Sequence, residues 1–374
     1  MIVVAALAFV GGALIARGGS SDDPAPTAGE PGAPSPVAAQ PSTCPEPVAS
    51  SPRRLAGQLL IVRMEATATD GLRERVRDGE LGGVILFPPE GTDPAALGEQ
   101  IEALRRVAER AGTPAPLVAI DQEGGEVERL PSLPPDRSAP EIGRAGEPAA
   151  AAEGRATGRA LRALGIDVDL APVLDVPSVD GAFIASRAFS SDPGRAAARA
   201  VAFGTALQAE GVAATAKHFP GLGMAVANTD LEPSPVDASR AELEAGLAPF
   251  EAAIDAGFEL VMVSNATYPA FDPDRPASLS RRIVDGVLRE RLGFEGAVIT
   301  DDLGAGGIAG AGIDEATAAV ESARAGADLL LFALTEGTVA ADALAGAIRS
   351  GDLDRERLLA SCARTTALRA RLAD

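Results

Sequence analysis

The sequence has no tryptophan, one tyrosine and only 3% aromatic residues in all, so a ligand site built on stacked rings has few side chains to draw on. Two cysteines and one histidine are too few for a four-ligand zinc centre, and no EF-hand loop is present. An all-carboxylate site for a hard cation stays open on composition alone, but no residue set for one is singled out, and no metal and no cofactor is expected. Positive charge is also scarce. There are 33 Lys and Arg against 53 Asp and Glu, a formal net charge of −20, which argues against nucleic acid as a partner. Among those cations there is a single lysine, Lys217, and it stands beside the single histidine, His218. Lysine offers a compact ammonium where arginine offers a wide planar fork, and imidazole can donate and accept near neutral pH. The two asparagines, Asn228 and Asn265, and the one tyrosine, Tyr268, fall in the same stretch of chain.

Long apolar runs are nearly absent too. The exception is residues 2–16, whose fifteen residues are short of the roughly 20 that a spanning helix needs. No basic segment precedes it, and Arg17 follows it; a start further upstream would account for that. Residues 1–17 are expected to be an export signal or an uncleaved membrane anchor, with a buried core helix as the alternative. Residues 18–43, rich in Gly, Ser, Pro and Ala, predict a disordered linker. The folded part, 44–374, would then be exported, membrane-anchored or secreted. In an oxidising compartment Cys44 and Cys362 can staple its two ends together; two unrelated thiols are the other reading.

Beyond residue 44 short apolar strands alternate with amphipathic helices. Strands are predicted at 59–64, 83–87, 116–121, 168–176, 213–218, 260–265, 297–300 and 328–332. Helices are predicted at 94–111, 148–164, 194–210, 239–256, 280–292 and 314–325. Eight strands with helical crossovers in about 330 residues fit a single α/β domain of the (β/α)8 TIM-barrel type. A doubly wound sheet is the alternative, but no glycine-rich fingerprint opens the first unit. A barrel places its chemistry just after the strands' C-terminal ends. Polar residues sit there: Asp121 to Gly125 after the third strand, Asp175 at the fourth, Lys217 and His218 at the fifth, Asn265 at the sixth, Asp301 and Asp302 at the seventh. Such groups are costly to desolvate without partners or a task. Asp302 suits a helix cap; Lys217 has the wrong sign for one.

Three motifs stand in this order: Asp121-Gln122-Glu123-Gly124-Gly125, Lys217-His218-Phe219-Pro220-Gly221 and Ile299-Thr300-Asp301-Asp302-Leu303-Gly304. With them the chain, from about 54 to 370, resembles glycoside hydrolase family 3, in particular its single-barrel, NagZ-like β-N-acetylhexosaminidases. The resemblance implies a retaining, exo-acting β-N-acetylglucosaminidase that acts as a monomer on an amino-sugar glycoside, of the cell wall or elsewhere. It implies Asp301 as the nucleophile that forms a glycosyl-enzyme. It implies Asp121, Arg129, Arg187, Lys217 and His218 as substrate-binding residues. The chemistry agrees, because a carboxylate can accept hydrogen bonds from adjacent hydroxyls and an ammonium can donate to one.

The chain departs from the family pattern where a retaining enzyme needs its acid/base. The family's Asp-x-His dyad is Asn228-Thr229-Asp230 here, and no other histidine can replace it. A second motif histidine is Leu222, a methionine is Ala305, and a histidine near strand six is Asn265. Three outcomes are open. Asp230 can itself be the acid/base with Asn228 orienting it, Glu232 can swing in, or the protein can bind sugar without efficient turnover; a β-glycosidase of different sugar preference is a further alternative. Phe219 and Tyr268 are the nearest rings for a sugar platform, and each suits the core as well.

Overall fold

The structure, a computed structural model, describes residues 43–373. The expected signal or anchor at 1–17, and the linker at 18–43 up to residue 42, lie outside the described residues. Among the described residues no helix is long and apolar enough to cross a membrane.

Eight strands form one parallel sheet: β1 (Leu60–Met64), β2 (Gly83–Leu86), β3 (Leu117–Ile120), β4 (Val168–Asp169), β5 (Ala213–Phe219), β6 (Leu260–Val263), β7 (Ala297–Thr300) and β8 (Leu330–Phe332). Each pairs with its sequence neighbour, and β1 pairs with β8. The seam between β7 and β8 is closed by an Ile299–Leu329 bridge and by Thr300 N–H donating to Leu329 O at 3.0 Å. The result is a (β/α)8 barrel, with helices α1 (Asp70–Asp78), α2 (Pro94–Ala111), α3 (Glu147–Ala163), α4 (Pro193–Gln208), α5 (Ala248–Asp255), α6 (Arg282–Arg291), α7 (Glu315–Ala325) and α8 (Thr338–Ser350) around it. A last helix, α9 (Arg355–Ala373), follows.

Strand alternation divides the core in two. Ile61, Ile85, Ala119, Val168, Met262 and Ile299 belong to an inner cluster, to which α9 adds Leu368 and Leu372. Leu60, Val62, Val84, Leu86, Val118 and Val261 belong to the outer cluster shared with the helices. Asp93, Asp192 and Asp314 cap α2, α4 and α7, each accepting a first-turn N–H. Cys44 and Cys362 form a disulfide, with Sγ–Sγ 2.09 Å and Cα–Cα 5.1 Å, tying the start of the described chain to α9.

Three elements differ from the sequence expectation. The fourth strand is much shorter than 168–176, because Pro172 has no N–H to donate to a ladder. Pairing resumes only at Val173, which bridges Lys217. The helix expected at 239–256 is two helices, Arg240–Ala245 and α5, since Pro249 fits a first turn but not a helix interior. The helix expected at 280–292 is α6, wound in the wider i→i+5 form.

Candidate active site

The strands' C-terminal ends surround a cavity of about 250 Å3. Its deepest part is an ion chain of alternating sign. Lys217, at the end of β5, is 1% exposed. Its Nζ donates to Asp121 Oδ1 at 3.0 Å and lies 2.6 Å from Glu123 Oε1. Glu123 takes a two-pronged grip from Arg187, Nε to Oε2 at 2.9 Å and Nη2 to Oε1 at 2.7 Å. Asp121 Oδ2 accepts from Arg129 Nη2 at 3.3 Å. Burial pushes both carboxyls up, but the flanking cations prevail: Lys217 and Arg187 hold Glu123 far below the usual carboxylate range, and Lys217 and Arg129 hold Asp121 below it. Burial opposes the charge on Lys217, and Glu123 and Asp121 more than offset it, raising its pKa. Three cations against two carboxylates leave the chain with surplus donors facing the cavity.

Arg129 is set in place from behind. Gln122, fully buried, accepts the N–H groups of Arg129 and Leu130 at 3.1 Å and donates to Leu130 O at 3.0 Å. The Arg129 guanidinium lies 4.3 Å from the centre of the Phe87 ring.

The Lys217–His218 bond is cis, and both side chains line the cavity. His218 Nδ1 is 2.7 Å from Asp175 Oδ2, and Nε2 is 3.4 Å from Arg187 Nη2. Asp175 also accepts the backbone N–H groups of His218 at 3.2 Å and Leu222 at 2.6 Å.

Asp301 follows β7. Its N–H donates to Val263 O at 2.9 Å, and its Oδ1 accepts from Asp302 N–H at 2.8 Å. Burial raises its pKa, His218 opposes the rise, and Asp230 adds to it. Asp302 is pushed up to about 6, chiefly by burial. Its Oδ1 accepts from Gly304 at 2.9 Å and Ala333 at 3.0 Å, so it ties the ends of β7 and β8 together and caps no helix.

Asp230 reaches the same cavity on an exposed loop. Its N–H donates to Asn228 Oδ1 at 2.9 Å. The loop is pinned to the residues after β7: Gly306 N–H donates to Asp230 O, and Gly307 N–H to Thr229 O, both at 2.9 Å. A Cβ on Gly306 would lie 2.1 Å from Leu231 O, so this approach requires glycine.

Asp121, Arg129, Arg187, Lys217, His218, Asn228, Asp230 and Asp301 thus share one cavity. Glu232 and Asn265 do not line it. Glu232 is exposed on the pinned loop, while Asn265 is buried, donating to Asp302 O at 2.7 Å and accepting from Ser278 Oγ at 2.6 Å. Phe219 and Tyr268 are core residues, the first packed edge-on against Phe250, the second donating to Gly221 O. The rings that do line the cavity are Phe87 and Phe183. Glu123, Asp175 and Asp302 complete the site, and all three carry the signal of a carboxylate at a strand's end. Among the described residues no group of three or more His, Cys, Asp or Glu is placed to hold a metal ion.

The model of the glycosyl hydrolase family 3 N-terminal domain matches residues 53–368. The chain belongs to glycosyl hydrolase family 3 and is a glycoside hydrolase. Solved relatives share the family barrel. A family 3 β-N-acetylglucosaminidase from Paenibacillus sp. str. FPU-7 is 32% identical with a TM-score of 0.80, over 86% of this chain and 62% of that one. This chain therefore spans less than two thirds of the Paenibacillus enzyme. A β-N-acetylhexosaminidase from Beutenbergia cavernae DSM 12333 is 33% identical with a TM-score of 0.78, over 86% of this chain and 98% of that one. An uncharacterized secreted glycosyl hydrolase of Arthroderma benhamiae is 36% identical over 256 residues, 66% of this chain and 72% of that protein.

Proposed function

We propose that this family 3 glycoside hydrolase is an exo-acting, retaining β-N-acetylhexosaminidase with Asp301 as nucleophile and Asp230 as acid/base. The observation that carries the reading is the meeting of Asp301, Asp230 and four members of the ion chain, Asp121, Arg129, Arg187 and Lys217, in one cavity of about 250 Å3. That volume is below the ~300–1,000 Å3 typical of drug-sized pockets and suits a single terminal sugar.

In the first step Asp301 attacks the anomeric carbon as the glycosidic C–O bond breaks, and Asp230 gives its proton to the leaving oxygen. In the second, Asp230 takes a proton from water as the water oxygen attacks the same carbon and frees Asp301. Asp121 accepts from sugar hydroxyls; Lys217, Arg129 and Arg187 donate to them; His218 stands between the sugar and Asp175. Asp230 is held at its backbone while its side chain stays in water, so a leaving group of any size can approach it.

The reading without turnover also has a specific observation behind it. Where the family carries its Asp-x-His dyad, this chain has Asn228-Thr229-Asp230, and Asp230 is exposed. The dyad's imidazole, which can give and take a proton near neutral pH, is absent from this loop. Hydrolysis of an aryl N-acetyl-β-glucosaminide, with the product's anomeric configuration followed by NMR, separates the two: retained configuration supports the enzyme, and saturable binding with no product supports the binder.

For place of action, residues 1–17 would direct export or anchor the chain, 18–43 would be a linker, and the monomeric barrel would work outside the cytoplasm. The disulfide and the secreted Arthroderma relative support this.

A further inference from the structure

A second constellation lies where α7 turns into β8, at the strands' N-terminal ends and away from the cavity above. On α9, Arg357, Ser361 and Arg364 recur at i, i+4 and i+7, which places them on one helical face. That face meets Arg289 of α6 and the turn at Gly326 around a separate cavity of about 220 Å3.

The carboxylates there are already committed. Asp328, fully buried, accepts from Arg289 Nη2 at 2.6 Å, from Arg364 Nε and Nη2 at 3.0 and 2.8 Å, and from Val298 N–H at 2.8 Å. Asp285 Oδ2 accepts from Arg357 Nη2 at 2.6 Å and Arg281 Nε at 3.0 Å. Three guanidiniums line the space, and Asp285 and Asp328 together offset two of their charges, leaving one in surplus. This surplus of positive charge occurs in a chain whose net charge is −20. Burial disfavours the charge on Arg289, and an anion nearby would offset that cost.

Unused donors remain. Among the described residues Nη1 of Arg357 and Nη1 of Arg364 make no hydrogen bond beyond these pairs. Ser361, only 3% exposed, has its Oγ buried without a partner. A buried hydroxyl left unpaired is destabilising, so its retention calls for an acceptor. Gly326 makes the arrangement possible: its φ is +112°, and a Cβ there would lie 2.5 Å from Asp285 Oδ1 and 3.2 Å from Arg357 Nη2. Water would satisfy the hydroxyl but not the excess charge.

We infer that this cavity is a binding site for a small tetrahedral oxyanion, phosphate or sulfate, held by Arg357, Arg364 and Ser361. The inference does not rest on the glycosidase reading, and its test reads binding rather than turnover. The whole disulfide-bonded chain is titrated calorimetrically with inorganic phosphate and, in a second arm, with sulfate, at an ionic strength held constant with sodium chloride. The expected result is saturable one-to-one binding and an unfolding midpoint that rises with anion concentration. Ser361→Ala and Arg357→Gln should each raise the dissociation constant about tenfold, the loss of one charge-assisted hydrogen bond. In chloride alone Ser361→Ala, which removes a buried unpaired hydroxyl, should not lower the unfolding midpoint, so a loss of anion binding in that variant is separable from a loss of fold. Two results would overturn the inference: no saturable heat with either anion up to tens of millimolar, or binding of equal strength in wild type and both variants. Either would make the constellation an ordinary ion-pair network filled by water.

Discussion

Lys217 Nζ lies 2.6 Å from Glu123 Oε1, with the two side chains 2% and 3% exposed. This buried pair is the keystone of the cavity floor, because each partner also holds a second group, Asp121 for Lys217 and Arg187 for Glu123. Removing one member of such a pair leaves an uncompensated charge out of water. Lys217→Met should therefore lower the unfolding free energy by about 3–5 kcal/mol, read by urea denaturation at pH 7. Lys217→Arg should not be neutral either, since the broader fork must enter a space that Nζ fills within hydrogen-bond distance of two carboxylates; a loss of about 1–3 kcal/mol is expected.

The pH dependence of stability carries two opposed contributions. Asp302, pushed up to about 6, holds its proton more tightly folded than unfolded. Its contribution is complete below about pH 4 and is lost as the pH rises to about 6. Glu123 and Asp121 are depressed, so their contribution is present above about pH 4 and is lost as the pH falls. Asp302→Asn keeps an acceptor for Gly304 and Ala333 but cannot titrate. The wild-type unfolding free energy minus that of Asp302→Asn should thus decline between pH 4 and 6. A flat difference would contradict the assignment.

The loop that carries Asp230 depends on one hydrogen atom. Gly306→Ala would drive a methyl to 2.1 Å from Leu231 O, so the 228–232 loop must shift. Turnover should fall about 10–100-fold, most for poor leaving groups, as expected when a catalytic group moves by about 1 Å. The urea midpoint should change little, because the loop is exposed. Equal losses for good and poor leaving groups would remove the loop from acid/base catalysis.

The disulfide closes nearly the whole folded chain, with a separation of 318 residues. Cross-linking so long a loop constrains the unfolded state strongly. Replacing Cys44 and Cys362 together by serine should cost about 2–4 kcal/mol in unfolding free energy. The site itself lies at the opposite end of the strands, so KM for an aryl glycoside should stay within about twofold.

The barrel and the positions around it were legible because apolar runs end in charge: Asp121, Lys217 and Asp301 each follow a strand that burial makes apolar. The strand at 168–176 was overextended because apolar residues continue past Asp169, and only the missing N–H of Pro172 interrupts the pairing. Glu123 was visible within its motif, but its bond to Lys217 joins residues on different strands, and no local pattern pairs them. Asp175 and His218 are another such couple. Glu232 lies four residues from Asn228 and Asn265 ends a predicted strand, yet only Asn228 lines the cavity; Asn265 is instead anchored to Ser278 and Asp302, a pairing that no local pattern shows. The arginine and serine face of α9 left no sequence signal beyond helical spacing.

The central claim is that Asp301 and Asp230 divide the chemistry between them. It is tested most directly by intact-mass spectrometry of Asp230→Ala during turnover of an aryl N-acetyl-β-glucosaminide with a good leaving group. The account predicts a glycosyl adduct that accumulates on Asp301, disappears when azide is added, and never forms in Asp301→Asn. Turnover by Asp301→Asn at the wild-type rate, with no adduct in any variant, would contradict it.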